Sequence, residues 1–182
     1  MTIASLLQNT ETPEVVRNLR MLYSADEKKR VIATQRLAAT ARESSDRKDE
    51  IVSGLINVLD DSTAPFSTRK ASMDLLGNLK AAAATGVLTK HLTDVGGTVG
   101  FSDAHFPAIQ ALRKIGPPAI PGLSRALSDP DPSARRLAAR ALAEIGGDEA
   151  RSALERALQS EADDEVKHEI QTWLRHTPSS PR

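Results

Sequence analysis

The stretch ALSDPDPSARRLAARALAEIGGDEARSALERAL, residues 126–158, contains a unit that also occurs just before it. LSRAL at residues 123–127 returns as LERAL at residues 154–158, 31 residues later, and ALRKIG at residues 111–116 returns as ALAEIG at residues 141–146, 30 residues later. A fixed period of this length is typical of repeat proteins in which pairs of helices stack side by side. The sequence therefore predicts an extended stack of helix pairs, an architecture that usually serves binding.

Each predicted helix pair carries recurring markers. The second helix has two leucines four residues apart, at Leu55/Leu59, Leu88/Leu92, Leu123/Leu127 and Leu154/Leu158. Residues four apart lie on one face of a helix, so each leucine pair predicts a buried stripe. The first helix has an acid four residues before a base, at Asp26/Arg30, Asp131/Arg135 and Asp163/Lys167. We expect each of these aspartates to cap the start of a first helix.

The segment DPDPSARRLAARALAEIGGDEARSALERAL resembles the short HEAT-like repeat of the phycobilisome bilin lyases. The resemblance is clearest over residues 107–158 and extends, less closely, over residues 30–92. It implies an all-helical, right-handed α-solenoid of about four to five stacked helix pairs with terminal capping helices. First helices would form the convex side and second helices the concave side. The resemblance implies no single activity, because most such domains bind proteins and a minority are enzymes.

The composition suits a thin helical core and argues against several classes of protein. Hydrophobic residues make up 40% of the 182 residues but aromatic residues only 3%, so the core must consist of aliphatic side chains and alanine. The chain has 24 basic and 24 acidic residues and no net charge, which argues against a general nucleic-acid binder. It has no cysteine for disulfide or thiol chemistry, and no apolar run long enough to cross a membrane. We expect a cytoplasmic monomer.

The pattern predicts a single domain over residues 1–176, with residues 1–25 as an N-terminal cap and a disordered tail at residues 177–182. Thr12 is the expected N-cap of a helix over residues 13–23, because Pro13 suits the first helical position. The predicted helix pairs are 26–42 and 48–59, 66–80 and 82–93, 103–115 and 118–128, and 132–145 and 149–160. A last helix over residues 164–175 has no partner. We expect the glycine-containing connection at residues 93–102 to be a tolerated insertion.

No arrangement of residues predicts catalysis. His168-Glu169 stands where the HEAT-like deoxyhypusine hydroxylases carry His-Glu pairs for a di-iron centre, but those enzymes need several such pairs and this chain has one. Adjacent residues on a helix point about 100° apart and cannot close a metal site alone. The chain also lacks a GxSxG motif and a phosphate-binding loop. We therefore expect no enzyme activity, no metal and no cofactor.

A row of polar residues on the second helices is the candidate partner-binding site. Its members each stand two residues after the first leucine of a pair, about 200° from the buried stripe. They are Asn57, Lys90, Arg125 and Arg156. We expect them on the concave face at steps of about 10 Å, where they would bind a protein or peptide, above all an acidic one. Glu155 would partly neutralise the row. The alternative is that the row only solvates an exposed helix face.

Two other functions stay open from the sequence. An enzyme similar to the HEAT-like DNA glycosylases would need a cationic groove with aromatic side chains and a catalytic carboxylate, whereas the aromatic residues here are few and dispersed. Salt-dependent DNA binding would favour that function. A bilin lyase or chaperone subunit follows from the repeat type alone, and a co-purified pigment would favour it.

The final predicted helix has to cover the apolar end of the stack. Trp173 lies on it, where the two preceding repeats have the small residues Ala111 and Ala141. We expect the indole to fold over the core as a lid. The alternative is a terminal interface, in which Trp173 projects and binds a partner or a second copy of the chain.

Overall fold

The computed structural model describes residues 12–96 and 106–176, and the regular elements within these two ranges are all helical. The α-helices are α1 (Pro13–Met21), α2 (Glu27–Glu43), α3 (Ser45–Asp60), α4 (Phe66–Asn78), α5 (Thr85–Lys90), α6 (Pro107–Ile115), α7 (Ile120–Ala126), α8 (Pro132–Ile145), α9 (Gly147–Ser160) and α10 (Asp164–His176). Short 3₁₀ turns at Ala82–Ala84 and Pro117–Ala119 lead into α5 and α7. None of the helices in the described ranges is both long and apolar enough to cross a membrane.

The helices form two stacked rows, which confirms the predicted all-α solenoid. The first row contains α2, α4, α6, α8 and α10, and each of these helices packs against the next. The second row contains α1, α3, α5, α7 and α9 in the same order. Helix α1 thus occupies a second-helix position, beside α2 and α3. Among the described residues, no helix covers its other side.

The aspartates that were predicted to cap first helices do so. Carboxylate oxygens of Asp26, Asp131 and Asp163 each accept a backbone N–H from the following first turn, at 2.8 Å, 2.9 Å and 3.0 Å. Thr12 precedes α1 as predicted, but its side chain does not cap that helix. Its N–H and its hydroxyl instead donate to the two carboxylate oxygens of Glu50 on α3, both at 2.7 Å. This acceptor lies 38 residues away, beyond the reach of a local capping rule.

The leucine pairs form the predicted buried stripe. Seven of the eight leucines are buried, and Leu158 near the end of α9 is half-buried. They join aliphatic residues and alanines of the first helices in one core that extends from Val15 to Ile170. A core of this composition follows from the scarcity of aromatic residues.

Small residues allow α4 and α6 to pack closely. A Cβ atom added to Gly77 on α4 would lie 2.7 Å from the Cα atom of Ala111 on α6. Real side chains do not tolerate such a distance to a backbone atom, so the packing requires glycine at this position. The contact joins the two described parts of the chain across residues 97–105.

Some predicted boundaries differ from the structure. The helix predicted over residues 82–93 ends at Lys90, because His91 leaves helical geometry. Its ring Nε2 donates to the carbonyl oxygen of Leu59 at 3.0 Å, which ties the turn to the preceding second helix. The helix predicted from residue 103 begins at Pro107 within the described residues, and residues 103–105 lie outside them. The predicted tail at residues 177–182 and most of the predicted insertion at residues 93–102 also lie outside the described residues.

Candidate functional site

The predicted polar row lies on four successive second helices. Asn57 belongs to α3, Lys90 is the last residue of α5, and Arg125 and Arg156 belong to α7 and α9. Because these helices pack in that order, the four positions follow the long direction of the stack. The three cationic side chains are exposed, whereas Asn57 is half-buried. The cationic part of the row therefore runs from α5 to α9.

The three cations of the row have different neighbours. Nζ of Lys90 lies 3.9 Å from Oδ1 of Asp60, in an exposed pair that holds the two groups only weakly. Arg125 and Arg156 have no acidic partner within the part of the chain that the structure describes. The strongest available positive charge in the row is therefore on α7 and α9.

Glu155 is positioned differently from the expectation that it offsets Arg156. Its Oε1 lies 3.0 Å from Nε of Arg151, one turn earlier on α9. Side chains four residues apart on a helix face each other, whereas adjacent side chains point in different directions. Glu155 thus neutralises Arg151 and leaves the charge of Arg156 less affected than predicted.

A groove of about 180 Å³ lies between α7 and α9, and Arg156 forms part of its wall. The same wall carries the hydroxyl groups of Ser124, Ser128 and Ser160. The hydroxyl groups of Ser124 and Ser160 already donate to the carbonyl oxygens of Ile120 and Ala157, so Arg156 and Ser128 are the donors that this groove offers to carboxylate and carbonyl oxygens. The sequence pattern indicated the arginine but not the serines, which become neighbours only when the two helices stack.

Two arginines of the first helices bind an acid at the end of their own helix pair. We call each of these contacts an arginine clasp. Arg69 of α4 donates from Nε and Nη2 to the carboxylate of Asp94, at 2.6 and 3.1 Å. Arg135 of α8 donates in the same way to Glu161, at 2.9 and 2.8 Å. Each arginine also donates from Nη1 to a backbone carbonyl that precedes its helix. Arg135, one of the bases predicted in the first helices, and Arg69 thus connect the start of a unit to its end.

Burial and pairing change the ionisation of the acids at the ends of the units. The hydrogen bonds from Arg135 lower the pKa of Glu161, which is only 4% exposed, to about 2. Burial opposes ionisation of Asp94, but the hydrogen bond and the charge of Arg69 lower its pKa. Asp61 has no clasp: the Tyr23 hydroxyl donates to its Oδ2 at 2.9 Å, and burial together with this contact raises the pKa of Tyr23.

The first helices of the C-terminal half form further ion pairs. Glu144 of α8 lies 2.9 Å from Nε of Arg113 and 3.0 Å from Nε of Arg140. Glu169, from the His-Glu pair considered in the sequence, lies 3.9 Å from Nε of Arg136. Within the described ranges, no group of three histidine, aspartate or glutamate side chains is arranged to hold a metal ion.

Trp173 is half-buried and packs against the C-terminal end of the core. The equivalent residues of the preceding units, Ala111 and Ala141, are fully buried. Helix α10 has no second helix of its own among the described residues, and it carries a tryptophan where the earlier units carry an alanine. The lid and the terminal interface at Trp173 both stay predictions.

The two helical rows define an α-solenoid, a repeat protein built of stacked helix pairs. Its residues 106–175 match the family model of HEAT repeats. The match begins one residue before α6 and includes the two units in which the sequence repeat is clearest. No curated protein matches the chain.

Three similar solved structures are of engineered proteins. One, described only as an engineered protein, is 23% identical, with a TM-score of 0.46 over 95% of this chain and 87% of that chain. A designed armadillo repeat protein in complex with the peptide (KR)4 is 20% identical, with a TM-score of 0.42 over 97% and 91% of the two chains. A computationally designed armadillo repeat protein for modular peptide recognition is 20% identical, with a TM-score of 0.42 over 95% and 90%. These similarities are too low to bear on function.

Proposed function

We propose that this protein is a non-catalytic scaffold that binds an acidic peptide or protein segment along its second helices. The observation that carries the proposal is the placement of Arg125 and Arg156 on neighbouring second helices. Both side chains are exposed, and neither has an acidic partner in the described ranges. Arginines repeated along a stack favour a ligand whose carboxylates are also repeated.

The spacing of the stack supports an extended ligand. Neighbouring helices lie about 10 Å apart, and a peptide in the polyproline II conformation advances about 3.1 Å per residue with three residues per turn, so every third side chain points the same way. A peptide that crosses the second helices would therefore bring every third side chain to a successive arginine. The hydroxyl group of Ser128, in the groove between α7 and α9, supplies a further donor. Lys90 would extend the contact by one more unit, beyond Arg125.

Binding of two labelled acidic peptides tests this proposal. One peptide carries glutamate at every third position, and the other has the same composition with its glutamates in a single block. The first should bind more tightly. Arg125→Glu with Arg156→Glu should weaken its binding at least about tenfold, because each reversal places like charges together. The melting temperature should stay unchanged, since both side chains are exposed.

Arg42→Glu with Arg175→Glu is the matched control, because both of these arginines are exposed but lie on first helices. It makes the same change in net charge and should leave the peptide affinity nearly unchanged. Equal binding by the second-helix variant and the unaltered protein would mean that the row is only a solvated surface.

A further inference from the structure

A second basic surface lies at the N-terminal end of the stack. A groove of about 880 Å³ there is lined by one face of α1, the turn that follows it and the start of α2. Val16 and Met21 give the groove an apolar floor, and Arg17, Arg20 and Lys29 provide its positive charge. Among the described residues, no acidic side chain lines this groove.

Helix α2 extends this surface along the stack. Ile32 and Arg36 follow Lys29 at three and seven residues, so they lie on the same face of α2. Ile32 is 41% exposed, and Val31 beside it is 48% exposed. These two are the exposed large apolar side chains within the described ranges. We call the whole patch the α1–α2 surface; it consists of Val16, Arg17, Arg20, Met21, Lys29, Ile32 and Arg36.

The cations of the α1–α2 surface are available to a ligand. In the described part of the chain, none of its three arginines nor Lys29 forms an ion pair. The arginines of the clasps, by contrast, donate to acids of their own units. The α1–α2 surface therefore combines apolar area with positive charge that no acid in the described ranges neutralises, and its charge complements an acidic partner.

The architecture favours a helical partner. Inside the stack, every second helix has another second helix on each side, whereas the described residues place only α3 beside α1 in its row. The uncovered face of α1 carries Pro13, Val16, Arg17 and Arg20, spaced as the residues of a helix that packs against a neighbouring helix. A helix that is added to this face would continue the second row.

We infer that the α1–α2 surface docks an acidic amphipathic helix of another protein. Apolar side chains of that helix pack on Val16, Met21 and Ile32, and its flanking carboxylates bind the arginines and Lys29. This site is separate from the second-helix row of Arg125 and Arg156. The inference therefore goes beyond the proposed function, and experiments can support or refute each of the two independently.

The probe for this inference is a labelled synthetic peptide of about 20 residues, longer than the limit at which isolated helices become marginal, with leucines along one helical face and glutamates on the other. The full chain should bind it. Arg17→Glu with Arg20→Glu should weaken binding at least about tenfold, and Ile32→Ser about threefold. A version with lysines in place of the glutamates should not bind. The melting temperatures of these variants should match that of the unaltered protein, since the altered side chains are exposed.

The variant Arg125→Glu with Arg156→Glu separates the two sites. It should bind the helical probe as the unaltered protein does. Loss of binding in this variant, with full binding by Arg17→Glu/Arg20→Glu, would overturn the α1–α2 inference while supporting the second-helix proposal. Equal binding by all variants would also overturn it, because the attraction would then be unspecific.

The chain's own first residues are the competing occupant, since residues 1–11 precede α1 and include Leu6 and Leu7. The full chain with Leu6→Asp and Leu7→Asp should bind the probe with unchanged affinity. Binding that occurs only in this variant would mean that the N-terminal segment fills the groove, and the inference would be wrong.

Discussion

Helices α8 and α1, near opposite ends of the solenoid, use their arginines in opposite ways. At the C-terminal end, Arg135 and Arg140 bind acids within the chain, at distances of 2.8 to 3.0 Å. At the N-terminal end, Arg17 and Arg20 have no acidic partner among the described residues. An arginine that is paired inside a unit stabilises the stack and adds little charge to the surface. An arginine without such a pair adds little stability and keeps its charge for a ligand.

The same contrast holds for the apolar ends of the core. Trp173 packs over the last unit, whereas Val16 and Met21 line an open groove on the first. A solenoid is exposed at both ends because each repeat is covered only by its neighbours. Within the described residues, the C-terminal end of the core thus has a large aromatic side chain packed against it, and the N-terminal end has a groove lined by apolar and basic side chains.

The largest expected effect is in the core of the C-terminal end. Leu154 is fully buried, so Leu154→Ala should lower the free energy of unfolding by about 3 kcal/mol. Leu158→Ala is the matched control on the same helix, and it should cost only about 1 kcal/mol because that side chain is half-buried. Urea denaturation measures both. Equal losses would contradict the packing described for α9.

The next largest effect is the loss of stability when a paired arginine is replaced, compared with the replacement of an arginine that has no acidic partner among the described residues. Arg135→Gln leaves the buried carboxylate of Glu161 without its partner and should cost about 2 kcal/mol. Arg17→Gln should change the free energy of unfolding by less than about 0.5 kcal/mol, because it alters an exposed side chain. If both substitutions proved equally costly, the proposed contrast between the two ends would be lost.

The clasp at Glu161 also predicts a dependence of stability on pH. The folded protein lowers the pKa of Glu161 from 4.5 to about 2, so this carboxylate stabilises the fold fully above about pH 4.5. That contribution is lost as the pH falls from 4.5 towards 2. Glu161→Gln should therefore be less stable than the unaltered protein at pH 6, with a difference that shrinks over this range. A difference that stays constant from pH 6 to pH 2 would show that the charge of Glu161 is not its cause.

The smallest expected effect concerns Trp173, the only tryptophan in the chain. A lid that packs against the core should give blue-shifted fluorescence that does not depend on protein concentration. Trp173→Ala should cost about 1–2 kcal/mol, less than a fully buried aromatic residue, because the ring is half-buried. Red emission that shifts to the blue as concentration rises would instead favour the terminal interface.

The sequence was sufficient for the architecture because its information is local and repeated. Leucines four apart define the buried stripe of each second helix, and an aspartate before a first helix defines its start. The positions of Arg125 and Arg156 on neighbouring helices follow from the same register. These features require only the repeat period and the geometry of a helix.

Contacts between distant residues could not be read from the sequence. Arg135 was recognisable as a recurring base, but its acceptor Glu161 is 26 residues away and belongs to no local motif. The acceptor of the Thr12 hydroxyl is 38 residues away. Arg17 and Arg20 share one face of α1 with Val16, which was the available signal for the N-terminal groove. This face of α1 lines a groove because no described helix packs on it, and the sequence of α1 alone does not show that.

The arginine clasps bear on the order in which the chain folds. Each joins residues only 25 or 26 positions apart, so it closes a short loop at low entropic cost. The units α4–α5 and α8–α9 can therefore close on their own contacts. The α2–α3 unit has a different contact at its end. Asp61 accepts a hydrogen bond from the hydroxyl group of Tyr23, which precedes the unit and lies 38 residues away in the sequence. Because α1 packs mainly against α2 and α3, its detachment would leave both clasps intact, and α1 is the described helix expected to open most readily in the native state.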